Sequence, residues 1–236
     1  MISVCRRAFL LAAVLSASLL RAQTTEVKGT IAFHIEGGSV QKSHPEAVVW
    51  LTPTDRNLAA QLAPAPKRER LVQKDKSFHP HLLVIPTGSA VEFPNRDPFF
   101  HNVFSLFEGK RFDLGMYEAG SSRTVNFDRP GISYIFCNIH PEMSAVVIAV
   151  NTPFWTSTDK GGEFTFPGMP PGEYRLDVWA EGASPETLAR LSRVLTVPDH
   201  ALRLDAINIP VATTIAHKNK YGRDYDRAAK APYEHP

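Results

Sequence analysis

The sequence predicts an all-β chain of two sandwich-like units, and three observations carry that expectation. Its large apolar residues fall in short runs or strict alternations instead of long stripes. Proline, glycine, asparagine and aspartate separate those runs at short intervals, the spacing typical of sandwiches and barrels. No stretch between Arg70 and Val150 repeats its apolar residues every 3.6 positions, so little helix is expected there. The chain's 236 residues and 43% hydrophobic content suit one large domain or two small ones with real cores.

Taken in order, the N-terminus reads first as a targeting segment. Cys5-Arg6-Arg7 precedes an apolar run from Ala8 to Leu20 and then Arg21-Ala22-Gln23, the layout of a secretory signal removed after Ala22. The run is shorter than the roughly 20 apolar residues that cross a bilayer. Arg6-Arg7-Ala8-Phe9-Leu10 also resembles a twin-arginine signal, which leaves the general secretory and twin-arginine routes both open. The expectation is a periplasmic or secreted protein with no transmembrane segment in its mature form. Loss of residues 1–22 removes Arg6, Arg7 and Arg21, leaving 23 basic against 24 acidic residues and a formal net charge of −1. That balance offers no basic excess for nucleic acid or an anionic membrane.

Glu26 to Leu51 reads as two or three strands: residues 27–33 alternate, Gly37-Gly38 marks a turn, and Ala47-Val48-Val49-Trp50-Leu51 is an apolar run that Pro53 ends. Residues 54–62 fit one or two helical turns. Pro64 and Pro66 make 63–70 an exposed linker, with a boundary near Pro66. Six strands follow at 81–85, 90–93, 102–106, 123–127, 132–137 and 145–150. The last is apolar at every position, as a strand covered on both faces would be. Beyond it, Asp159-Lys160-Gly161-Gly162 and Pro170-Pro171-Gly172 flank a strand at 163–166, and 173–180 alternates. Ser184-Pro185-Glu186 is a helix start with a cap, a proline at the first helical position and an acid in the first turn. Strands at 193–197 and 202–209 close the unit. The tail, 212–236, is charged and poor in large apolar residues, so it is expected to be loose or to cover another surface.

The chemistry concentrates in Cys137-Asn138-Ile139-His140-Pro141-Glu142-Met143, which places a thiolate, an imidazole and a thioether at three-residue intervals after a strand. His101 lies upstream, at the start of another strand. Cleavage leaves Cys137 as the mature chain's single thiol in an oxidising compartment, where an unpaired cysteine needs an explanation. Two imidazoles, a thiolate and a weak thioether suit both oxidation states of copper, so one mononuclear copper held by His101, Cys137, His140 and Met143 is the expected cofactor. Each residue alone has a plainer reading: a packed histidine, a core methionine, a buried small cysteine. Structural zinc would want four cysteine or histidine ligands, covalent haem a second cysteine in C-x-x-C-H, and a Cys–His nucleophile would leave His101 and Met143 idle. His79 and His81 resemble a second metal clip, although histidines alternating on a strand more commonly line a solvated face.

Asn95-x-Asp97-x3-His101-Asn102-Val103 with Gly131-x5-Cys137-x2-His140-Pro141-x-Met143 resembles the cupredoxin pattern. The short C-x2-H-P-x-M loop is closer to amicyanin than to plastocyanin. The resemblance covers about residues 70–151 and implies a Greek-key sandwich in a domain at 67–151, with His101, Cys137, His140 and Met143 as ligands of a type 1 copper. It implies that Asn102 braces the ligand loop, and that His140 is the electron port within an apolar patch of Phe99, Phe100, Ile139 and Pro141. The flanks resemble the two halves of a carboxypeptidase-regulatory-like, transthyretin-type sandwich. The copper domain would then be inserted into a second sandwich made of an N-terminal segment, 23–66, and of 152–211. As a whole the chain resembles secreted bacterial proteins labelled methylamine-utilisation or plastocyanin-like. The function implied is single-electron transfer between periplasmic redox partners, with no catalysis of its own. The rival is a non-redox copper-binding or cell-envelope module that takes a partner or glycan.

Overall fold

The computed structural model describes residues 25–35, 45–106, 109–212 and 217–225. The signal expected at 1–22 and the Gly37-Gly38 turn lie outside them. Among the described residues the chain forms eighteen strands and two short helices. In chain order these are β1 (Thr25–Ile35), β2 (Ala47–Pro53), α1 (Arg56–Leu62), β3 (Arg68–Arg70), β4 (Val72–Lys74), β5 (Ser77–His79), β6 (Leu82–Pro86) and β7 (Ser89–Pro94). Then come β8 (His101–Ser105), β9 (Phe112–Tyr117), β10 (Ser122–Phe127), β11 (Gly131–Cys137), β12 (Ser144–Val150), β13 (Trp155–Ser157) and β14 (Glu163–Met169). The chain continues through β15 (Gly172–Ala180), α2 (Pro185–Leu191), β16 (Arg193–Val197), β17 (Leu202–Arg203) and β18 (Ile207–Val211). The protein is thus an all-β sandwich structure. No helix among the described residues is long and apolar enough to cross a membrane.

The two chain ends build one lobe together. β1 runs antiparallel to β14 on one edge and parallel to β17 and β18 on the other. The second sheet has the order β13-β2-β15-β16, with β2 antiparallel to β15 from Ala47–Ala180 to Pro53–Tyr174. Gly162 permits the tight approach between β1 and β14: its φ is +78°, and a Cβ there would meet the Ile31 carbonyl oxygen at 2.3 Å. The Asp159 carboxylate closes that turn by accepting the Gly161 and Glu163 N–H groups. Ser184 caps α2 through the Thr187 N–H, with Pro185 at the first helical position.

The segment between these ends forms the other lobe, from a sheet β10-β7-β3 and a five-stranded sheet β6-β12-β11-β8-β9. β3 pairs parallel with β7, so the stretch read as linker becomes an edge strand immediately after its prolines. β12 explains how the lobes join. Val146, Ile148 and Val150 point into the core of the first lobe, while Ala145, Val147 and Ala149 point into the core of the second. Side chains alternate faces along a strand, so a strand apolar at every position is a strand buried on both sides. Its neighbours repeat the pattern, with Leu82, Val84, Ile132 and Tyr134 toward the first core and Leu83, Ile85, Ile135 and Cys137 toward the second.

Candidate metal centre

Sheet register brings the predicted ligands together. β11 pairs antiparallel with β8 at Cys137–Val103 and Phe136–Phe104. His101 lies two positions from Val103 and therefore on the same face as Cys137. Both side chains are fully buried. The loop after β11 turns back at once: the Met143 N–H donates to the His140 carbonyl at 3.1 Å and the Cys137 N–H to the Met143 carbonyl at 3.3 Å. That closure carries His140 over the end of the sheet.

The three donor atoms converge. Cys137 Sγ is 3.7 Å from His101 Nδ1 and 3.7 Å from His140 Nδ1, and the two Nδ1 atoms are 3.2 Å apart. All three lie within 4.8 Å of one another. Met143 is fully buried among the side chains of the same core. His140 is half-buried, so of the four it alone reaches toward solvent. Phe99 lies edge-on to His101 and tilted against His140, while Phe100 is exposed and Pro141 lies at the surface.

Supporting contacts fix the imidazole of His101. Its Nε2 is 2.7 Å from Asp97 Oδ2, and a carboxylate there accepts the Nε2–H hydrogen bond, leaving the Nδ1 lone pair aimed at the cluster. Asp97 also accepts the N–H groups of Asp75 and Lys76, both of which have positive φ in the β4–β5 turn. Burial alone would raise the Asp97 pKa, but the His101 hydrogen bond and these backbone donors hold it below the usual carboxylate range. Burial pushes His101 below the ordinary histidine value, with Asp97 partly opposing. Burial and the neighbouring His101 do the same to His140. The Cys137 thiol is pushed up by burial, against N–H groups of Asn102, Ile139 and His140 that would favour the thiolate.

Asn102 departs from the implied bracing role in one respect. Its backbone N–H faces the Cys137 sulfur, but its side-chain amide donates to Asp113 Oδ1 at 2.6 Å, on β9, and not to the ligand loop. The loop is held instead by residues that carry no ligand signature. Tyr225, His217 and Lys220 of the C-terminal tail bond to Cys137, Pro141 and Asn138. The tail therefore covers a surface over 217–225, and that surface is the ligand loop. Asp97 had a visible signal, a carboxylate four residues before a candidate ligand. The tail residues had none, because nothing local in the sequence says where a charged segment docks. His81 contacts the Ser144 carbonyl and Glu181, and His79 ends β5.

Residues 145–194 match the family model described as polysaccharide lyase family 4, domain II. No comparison adds support for the carboxypeptidase-regulatory likeness of the flanks. No curated protein sequence matches the chain. Among solved structures, the copper-containing nitrite reductase from Thermus scotoductus SA-01 is 25% identical over 42% of this chain and 27% of its own, with a TM-score of 0.34. A purple cupredoxin from Nitrosopumilus maritimus is 22% identical over 35% of this chain and 99% of its own, with a TM-score of 0.32. Amicyanin from Paracoccus versutus is 20% identical over 42% and 91%, also at 0.32. The match spans about a quarter of the nitrite reductase chain and nearly all of the small cupredoxins. The chain is similar over part of its length to cupredoxins.

Proposed function

We propose that this protein is an exported carrier of single electrons that binds one copper through His101, Cys137, His140 and Met143. The observation behind the reading is the meeting of three soft or borderline donor atoms within 4.8 Å of one another, two of their residues fully buried. The donor set fits the metal: one sulfur and two nitrogens, with Met143 as the weak fourth ligand of the type 1 arrangement. Copper held there supplies one-electron chemistry between its monovalent and divalent states. The chain's own residues do the rest. Strands fix His101 and Cys137, Asp97 fixes the imidazole tautomer, and burial keeps bulk water from the sulfur. His140, half-buried against Phe99, is the shortest route to an external redox protein. In this proposal the chain acts on no substrate, and its donor and acceptor are other proteins of the same compartment.

The test is optical and electrochemical. Copper-loaded protein should show an intense visible thiolate-to-copper charge-transfer band and a reversible couple, both lost in Cys137→Ala. Met143→Leu should keep the copper and raise the potential. A colourless sample without a reversible couple would replace the carrier with a non-redox copper-binding module.

A further inference from the structure

Residues 217–225 touch the ligand loop or its supports at every anchored point. The His217 Nε2 lies 2.7 Å from the Pro141 carbonyl oxygen, and its ring stacks on Phe136 with centroids 4.0 Å apart and planes 19° apart. The Lys220 N–H donates to Asn138 Oδ1 at 3.0 Å, and its ammonium pairs with Asp113 Oδ2 at 2.8 Å. The Tyr225 hydroxyl donates to the Cys137 carbonyl at 2.7 Å, its ring edge-on to His217. Between these anchors the segment holds its own turn, with Asn219 Oδ1 accepting the N–H groups of Tyr221 and Arg223.

We propose that residues 217–225 are a strap that holds the copper loop closed from outside, with His217 and Tyr225 as positioning residues for Cys137 and His140. The inference rests on the copper reading above. Cys137 and Pro141 lie on either side of His140 along the loop, so fixing both carbonyls limits how far His140 can swing from the sulfur. Lys220 adds a second grip: it holds Asp113, which holds the Asn102 side chain, and the Asn102 backbone N–H faces the same sulfur. The strap also follows β18, which is paired to β1 in the other lobe up to Val211. Through it, the lobe built from the chain ends reaches the metal loop. Each hydrogen bond replaces one to water and adds modestly; the strap acts by making several at once.

Full-length His217→Ala, Tyr225→Phe and the double variant test the proposal. Tyr225→Phe keeps the ring and removes only the hydroxyl on the Cys137 carbonyl. Extraction of copper(I) by excess bathocuproine disulfonate should be about threefold faster in each single variant and about tenfold faster in the double. The charge-transfer band should shift while the melting temperature holds. Wild-type extraction rate and band position in the double variant would overturn the strap. If the wild-type protein forms no coloured copper site, the copper reading fails on its own. Amide hydrogen exchange of residues 137–143 in the metal-free protein then decides the strap: faster exchange in the double variant supports it, and equal protection overturns it.

Discussion

The two cores that meet on β12 are assembled in opposite ways. The metal-side core takes its residues from one continuous segment, Leu71 through Ala149. The other takes Val27 to Leu51 from one end of the chain and Phe164 to Val211 from the other, and borrows Val146, Ile148 and Val150 from the shared strand. The difference teaches that a continuous segment can place a site from its own register, whereas a lobe made of distant ends depends on the sheet it packs against. The two cores also differ in what they bury. His101, Asn102, Asp97 and Asn95 are buried polar groups on the metal side, while among the described residues the other core is lined almost wholly by apolar side chains.

That comparison breaks if the cores unfold independently. Trp179→Ala empties the core of the chain-end lobe and Phe93→Ala the metal-side core; each should cost about 3–5 kcal/mol. Because β12 and its neighbours form a wall of both cores, each variant should lower one common thermal transition, seen together by far- and near-ultraviolet circular dichroism. Two separated transitions would show that the shared sheet does not couple them.

Polarity on the metal side gives the next sharpest test. Asp97→Asn keeps the shape beside His101 but loses the carboxylate that orders its imidazole. Copper affinity should fall about 10–100-fold by competitive titration. Unchanged affinity would mean that packing against Phe99 and the strands orients His101 unaided.

The smallest effect comes from the ion pair that spans the lobes, His81 just before β6 and Glu181 just after β15, 3.1 Å apart. The hydrogen bond to Glu181 raises the His81 pKa, and the same bond lowers that of Glu181. A raised histidine pKa contributes stability that is full below the ordinary histidine value and is lost as pH rises through the raised one. The lowered carboxylate contributes above its ordinary value and loses its share as pH falls through the lowered one. Both side chains are well exposed, so solvent screening limits the contribution to about 0.5 kcal/mol or less. The melting-temperature gap between the protein and Glu181→Gln should narrow as pH is raised from about 6 to about 9. A constant gap would remove the pair as a tie between the lobes.

What the sequence determined by itself was local in character. Strand positions followed from alternation and turn residues, the cap of α2 from Ser184-Pro185, and the Cys137 and His140 members of the donor cluster from their short spacing in Cys137–Met143. The two-sided burial of β12 was legible because every residue from Ala145 to Val150 is apolar. Strands β4, β5 and β9 were less so: β4 and β5 are three-residue arms of a tight hairpin, and β9 is bent by a register shift opposite β8 and carries Gly115 at φ +66°. Only the tertiary structure decided that His101 shares a face with Cys137, since that depends on which residue of β8 lies opposite it in the sheet. It decided too that Asn102 turns to Asp113, and that His217, Lys220 and Tyr225 bond to the loop of residues 137–143. Contacts made across tens of residues leave no periodicity behind them; they exist because two surfaces meet, and the chain has to fold before they do.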